Sequence, residues 1–173
     1  ANAGSSGQAY VFIDGIKLYK IGEADEEELL QADLLDMCEE VNAYMDNDTI
    51  AMFEGLIYEI GDYVMVAEGA STVEEMTAAI ADLKVYKAKI ENLIPSIVEY
   101  SDLESKAMRE MEKEDTYPGF EEFSAAFETL SEEIQEASTD NFPEYTAKLK
   151  DILNKYYMSQ EVTAENPADF SFL

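Results

Sequence analysis

The 173-residue chain contains no histidine and no tryptophan, and it has one cysteine, Cys38, and one arginine, Arg109. The missing histidine removes the commonest general base at neutral pH and the commonest transition-metal ligand. It also excludes the di-iron bundle, the enzyme reading native to helical folds, whose Glu-x-x-His pairs must project inward. A single cysteine forms no internal disulfide and builds no Cys-rich zinc site. Without tryptophan, a platform for stacking a sugar ring would have to be tyrosine. Basic charge is scarce: 11 Lys and Arg stand against 39 Asp and Glu, for a formal net charge of −28. A nucleic-acid or anionic-membrane partner needs a basic face to displace counterions, so neither is expected. No apolar run approaches the 18 residues or so of a membrane span. Hydrophobic content is an ordinary 47%, so the acidity does not by itself imply disorder.

What is present reads as three parts. Ala1-Asn2-Ala3-Gly4-Ser5-Ser6-Gly7 resembles a loop or a cut end and carries no leader or lipidation box. Residues 9–20 then alternate Tyr10, Phe12, Ile16 and Leu18 in strand fashion, with Asp14-Gly15 as a possible hairpin turn. An isolated hairpin is marginal in water, so residues 1–22 are expected to be the closing strand of an upstream β module. The spacing turns helical over 24–160. One helix is expected near 25–46 on Leu30, Leu34, Met37, Val41 and Tyr44. A second opens at an Asn47-Asp48 cap and runs to Gly69 on Ile50, Phe53, Ile57, Ile60 and Val64. Met52, Leu56 and Tyr63 widen that stripe, which makes this the helix expected to be most buried. Thr72-Val73-Glu74-Glu75 is a capping box for a third helix, and Pro95 should kink or break it. A helical face continues from Ile97 to about Glu114, and a turn follows at Tyr117-Pro118-Gly119. Another helix shows Phe120, Phe123, Phe127, Leu130, Ile134 and Ala137, and a last one starts at Asn141-Phe142-Pro143. The expected fold is mainly α: an antiparallel up-and-down bundle of five to six helices, one kinked at Pro95, with short β stubs at both ends. Residues 161–173 read as a linker through Asn166-Pro167 and the start of a downstream β module.

Val11-Phe12-Ile13-Asp14-Gly15-Ile16-Lys17-Leu18-Tyr19-Lys20-Ile21-Gly22 resembles the closing strand of galactose-binding-like β-sandwich modules. Ser159-Gln160-Glu161-Val162-Thr163-Ala164-Glu165-Asn166-Pro167-Ala168-Asp169-Phe170 is similar to a junction in large surface proteins of gut Gram-negative anaerobes, where a helical spacer leads into the next carbohydrate-binding-type sandwich. The helices between, with Gly69-Ala70-Ser71-Thr72-Val73-Glu74-Glu75 opening one of them, look like the FIVAR-type bundles that separate such modules. The resemblance implies a structural spacer in an exported, cell-surface, glycan-binding or glycan-degrading protein. Its partners would be the adjacent β-sandwich modules of the same polypeptide, and glycan contact would come through those neighbours. It implies no cofactor and no enzyme activity in this chain, any glycoside hydrolase chemistry lying in another module. The same context makes Asp48-Thr49-Ile50 resemble an O-glycosylation site at Thr49. So short a motif arises by chance, and Thr49 is already accounted for as the first helical residue after a cap.

Other candidates weigh less. Glycoside hydrolysis needs two carboxyl groups across a sugar-sized cleft. In the first helix only Glu26, Asp33 and Glu40 border the apolar stripe, and a solvated edge is the preferred reading. Asp46-Asn47-Asp48 begins like a calcium loop, but Ile50 and Ala51 occupy positions that need a ligand and a glycine. The eight methionines read mostly as core filler and Cys38 as a small buried hydrophobe. From Ile21 to Leu83 there is no Lys or Arg at all. That asymmetry reads as a solvated flank that favours solubility and repels like-charged neighbours. The alternative function is an acidic protein- or ligand-interaction module with a groove between helices, marked by an exposed apolar patch lined by carboxylates.

Overall fold

The computed structural model describes residues 25–113 and 118–160. Asp25 opens the first helix as an N-cap, its carboxylate accepting the Glu28 backbone N–H at 2.9 Å. Helix α1 spans Glu26–Asn42 and tightens into a 3₁₀ turn over Ala43–Asp46. Asn47 then folds a turn rather than capping a helix: its side-chain oxygen accepts the Thr49 N–H at 3.0 Å, two residues on. Helix α2 therefore starts later than the sequence suggests, at Glu54–Glu68, with Phe53 in the extended cap position. Gly69 ends it in a right-handed conformation, φ −75°.

The capping box before α3 forms as expected. Thr72 Oγ1 accepts the Glu75 N–H at 3.2 Å, while the Glu75 carboxylate accepts the backbone N–H groups of Ser71 (2.9 Å) and Thr72 (3.1 Å). Those bonds hold the Glu75 carboxyl below its ordinary pKa. Helix α3 runs unbroken over Val73–Met111, 39 residues or about 58 Å. Pro95 does not divide it, so the two helices expected on either side of that proline are one and the described helices number five. The missing Pro95 N–H can be tolerated because α3 is anchored from both flanks. Gly119, at φ +75°, turns the chain into α4 (Phe120–Glu133), which tightens into a 3₁₀ turn at Ile134–Glu136. Helix α5 spans Phe142–Ser159 with proline in its first turn. Asn141 does not cap it by side chain; its oxygen instead accepts the Ser138 N–H at 2.7 Å.

Cross-helix bonds give the topology. Glu40 meets Lys87 at 2.9 Å and Tyr44 meets Glu91 at 2.9 Å, partner numbers rising together, so α1 and α3 run parallel. Ser96–Thr146 (3.0 Å) and Glu99–Lys150 (3.1 Å) make α5 parallel to α3 as well. Glu133–Lys148 and Pro118–Ser159 make α4 antiparallel to α5. Sequential neighbours are thus antiparallel, as an up-and-down bundle requires. The consequence of a double-length α3 is two three-helix layers in tandem: α1 and α2 pack on its first half, and α5 packs on its second with α4 laid against α5.

The layers join at the middle of α3. Phe53, Tyr100 and Phe142 meet edge to face, with ring centroids 4.8, 5.7 and 5.8 Å apart. The start of α2 lies so close to the turn after α4 that a Cβ on Gly55 would stand 2.4 Å from the Ala137 carbonyl oxygen. Glu59 accepts both the backbone N–H (2.7 Å) and hydroxyl (2.9 Å) of Thr139, and Lys89 pairs with Asp140 at 2.7 Å. One contiguous core threads through the junction, from Leu34 and Met76 at one end to Phe123 and Tyr156 at the other. No strand occurs among the described residues; the expected β stubs at 1–22 and 161–173 lie outside them.

Candidate functional site

The carboxylates singled out on α1 do not assemble into a site. Glu40 is held by Lys87, while Glu26 and Asp33 stand exposed, so this border is solvated. The carboxyl that burial does push above its ordinary pKa is Glu104, half-buried on the second half of α3. Among the described residues no group of three or more Cys, Asp or Glu side chains is placed to hold a metal ion. The Asp46-Asn47-Asp48 segment is an Asn-centred turn, and the Asn47 carbonyl accepts the N–H groups of Ile50 (2.9 Å) and Ala51 (2.8 Å). Thr49 lies in that turn, partly exposed, and not in the first turn of a helix as expected.

Tyrosines divide by position. Tyr86, Tyr100 and Tyr156 are buried, and burial raises the first two hydroxyls well above the ordinary tyrosine range. Tyr63 stacks on Tyr86 with centroids 3.8 Å apart, which occupies one of its faces. Tyr10, Tyr19 and Tyr117 lie outside the described residues. Cys38 is buried as expected; burial first, and then the nearby Glu68 carboxylate, raise its thiol pKa, so it is a poor nucleophile. The methionines depart from expectation: Met52, Met65, Met108 and Met158 are exposed.

Helix α2 departs furthest. Its stripe of Leu56, Ile60, Val64 and Ala67 is buried, but Tyr58 is 70% exposed, Met65 64% and Val66 75%. The helix expected to be most buried therefore presents apolar side chains to water. Of the residues expected to widen the stripe, Leu56 is buried, whereas Met52 falls in the turn before the helix and Tyr63 reaches only the edge of the α3 contact.

Two open grooves follow from the tandem arrangement, each on the side of a helix pair away from α3. Between α1 and α2, Leu35, Cys38, Glu39 and Asn42 face Gly61, Val64, Met65 and Glu68 across ≈ 390 Å³. Both sets follow the i, i+3, i+4, i+7 spacing of a single helix face. Gly61 adds depth, because a Cβ there would meet the Met45 methyl at 3.3 Å. Between α4 and α5 the same spacing recurs, with Glu122, Phe123 and Ala126 opposite Ile152, Lys155 and Tyr156, around ≈ 290 Å³. The two differ in charge. The second holds both signs in Glu122 and Lys155, whereas α1 and α2 carry no Lys or Arg. Among the described residues neither Glu39 nor Glu68 makes an ion pair. An apolar floor with a carboxylate on each wall suits a cationic, partly apolar ligand; it supplies no nucleophile and no proton-transfer pair.

Set against known proteins, the chain matches no protein-family model, no curated protein and no solved structure. The likeness to FIVAR-type spacers accordingly rests on residues 11–22, 69–75 and 159–170 of the sequence. The α1/α2 groove was only partly legible there. No Lys or Arg lies between Ile21 and Leu83, which leaves this groove acidic, but helix spacing alone does not say that Leu35 and Met65, outside the apolar stripe, form its lips.

Proposed function

We propose that the chain is a structural spacer: a stiff helical module holding two neighbouring modules apart in an exported glycan-binding or glycan-degrading protein, with no chemistry of its own. The observation that carries this reading is the placement of the helix ends. Because α1 and α5 both run parallel to α3, Glu26 stands level with the first turn of α3 and Ser159 level with its last. The described chain thus enters at one end of a helix about 58 Å long and leaves at the other. A domain whose ends lie side by side would not separate its neighbours. Stiffness has a source too, since α3 passes uninterrupted through the junction and the Phe53–Tyr100–Phe142 contact braces it there.

The β-sandwich neighbours and the cell-surface location belong to the same proposal and rest on the flanking sequences. Spin labels at Glu27→Cys and Met158→Cys, in a Cys38→Ala background, test the mechanical part. The expected interlabel distance is about 55 Å along the axis in a narrow distribution. A broad distribution, or one centred below about 40 Å, would rule out a rigid spacer. A parent polypeptide without β-sandwich sequence on either side would remove the modular context.

A further inference from the structure

We infer that the α1/α2 groove is a docking site for a cationic amphipathic helix, a segment of another protein with lysines or arginines flanking an apolar i, i+3/i+4, i+7 stripe. This goes beyond the spacer reading and does not depend on it.

The groove has the form such a segment needs. A helix lying between two antiparallel helices inserts its apolar side chains where theirs part, at the same i, i+3, i+4, i+7 steps. Leu35, 51% exposed, and Met65, 64% exposed, form opposite lips, and Tyr58 extends the apolar line one helical repeat beyond Met65. Met65 is a fitting lip residue, because an unbranched thioether adapts to whatever side chain arrives. The floor is Cys38 and Val64, already buried, so docking needs no opening of the core.

Charge selects the occupant. Glu39 and Glu68 sit one on each wall, and no Lys or Arg lies between Ile21 and Leu83 to neutralise them. A second copy of this chain would bring the same sign to the same face and be repelled. A neutral apolar helix would leave both carboxylates partly desolvated and unpaired, which costs more than it gains. A helix with Lys or Arg on both sides of its apolar stripe pairs both walls at once. Rim pairs of this kind act mainly on encounter rate and partner choice, while the apolar lips hold the complex. The α4/α5 groove lacks this selectivity, since Lys155 lies in its wall.

The test uses a synthetic 14-residue helix-forming peptide with leucines at i, i+3, i+4 and i+7 and lysines on both flanks. Calorimetry at low salt with the whole chain should give a Kd on the order of 10 μM, and rising salt should weaken it. Replacing the lysines by glutamates, or scrambling the same residues, should reduce binding at least 10-fold. Met65→Ser with Leu35→Ser should do the same, and Glu39→Gln with Glu68→Gln should weaken binding severalfold and flatten its salt dependence. Val85→Ser, at an exposed site on α3 away from the groove, serves as the control and should leave Kd unchanged. The inference is overturned if the scrambled peptide binds as well, if the groove variants bind like the parent, or if binding is lost with Ile152→Ser instead. Self-association of the free chain that Met65→Ser abolishes would equally overturn it, by assigning the face to a second copy.

Discussion

Gly55 and Gly61 occupy the same helix, yet substitution should affect them in opposite directions. A Cβ at Gly55 would lie 2.4 Å from the Ala137 oxygen and 2.8 Å from the Glu136 carbonyl carbon, both backbone atoms of the opposing turn. Neither can move without parting the two layers. Gly55→Ala should cost about 1–3 kcal/mol in a urea titration, outweighing the helix-propensity gain of about 1 kcal/mol. At Gly61 the nearest neighbour is the Met45 methyl at 3.3 Å, the free end of a flexible side chain. There the propensity gain should win, and Gly61→Ala should be neutral or stabilising. Equal destabilisation by both would show that the 55–137 approach is not a tight contact. Glu104 gives a pH-dependent prediction. Burial raises its folded pKa above the ordinary 4.5, so the ionised form opposes folding. That cost is absent below the ordinary value, where the group is protonated in both states, and it grows as pH climbs through the raised one. Glu104→Gln should therefore raise the melting temperature at pH 7 and lose this advantage by about pH 4. A gain that is the same at both pH values would assign the effect to packing rather than to charge.

The helices were legible because their apolar steps recur every three or four residues without a slip. Through α4 and the turn after it, Phe123, Phe127, Leu130, Ile134 and Ala137 of the expected series are buried and Phe120, at its start, is partly buried. The Thr72–Glu75 box was equally plain, since capping chemistry is local and needs no tertiary partner. What escaped was decided by neighbours remote in sequence. Asn47 could cap a helix or fold a turn, and the turn wins because Ile50 and Phe53 must both reach the core before α2 can begin. Pro95 looked like a break because its cost is local, while the offsetting contacts come from elsewhere. The Ser96 hydroxyl and carbonyl both bond Thr146 Oγ1, at 3.0 and 3.2 Å, tying α3 to α5 one residue past the proline. The groove escaped for the same reason, since helix spacing says which residues leave the core but not which exposed ones face each other. Pro95 is exposed and its ring supports no core contact, so Pro95→Ala should restore a backbone hydrogen bond. The gain should exceed the loss of proline's stiffening of the unfolded chain, about 0.5–1 kcal/mol, and leave a net stabilisation of about 1–2 kcal/mol. Destabilisation in the same titration would mean that α3 needs a bend at Pro95 to meet both α1 and α5.

At the scale of the whole molecule, two electrostatic effects oppose each other, and their balance can be read from how stability responds to salt. Lys87–Glu40, Lys89–Asp140, Lys148–Glu133 and Lys150–Glu99 join separate segments, and salt weakens each of them. All four are solvent-exposed, a class worth about 0–1 kcal/mol apiece. Against them stands the net charge of −28, concentrated on α1, α2 and the start of α3. Two carboxylates 10 Å apart in water repel by about 0.4 kcal/mol before screening, and the number of such pairs grows roughly as the square of the charge. Folding draws these carboxylates together along parallel and antiparallel helices, whereas the unfolded chain spreads them out. Repulsion should therefore dominate, and its screening should outweigh the loss of the ion pairs. Raising sodium chloride from about 10 mM to 300 mM shortens the screening length from about 30 Å to below 10 Å, so the melting temperature should climb steeply at first and then level off. The rise should be present with chloride, and not only with sulfate, because excluded salts stabilise any buried apolar surface. A melting temperature that stays flat or falls with sodium chloride would place the balance with the four ion pairs, and the acidic face of α1 and α2, which carry no Lys or Arg of their own, would then have to be neutralised from other segments of the chain.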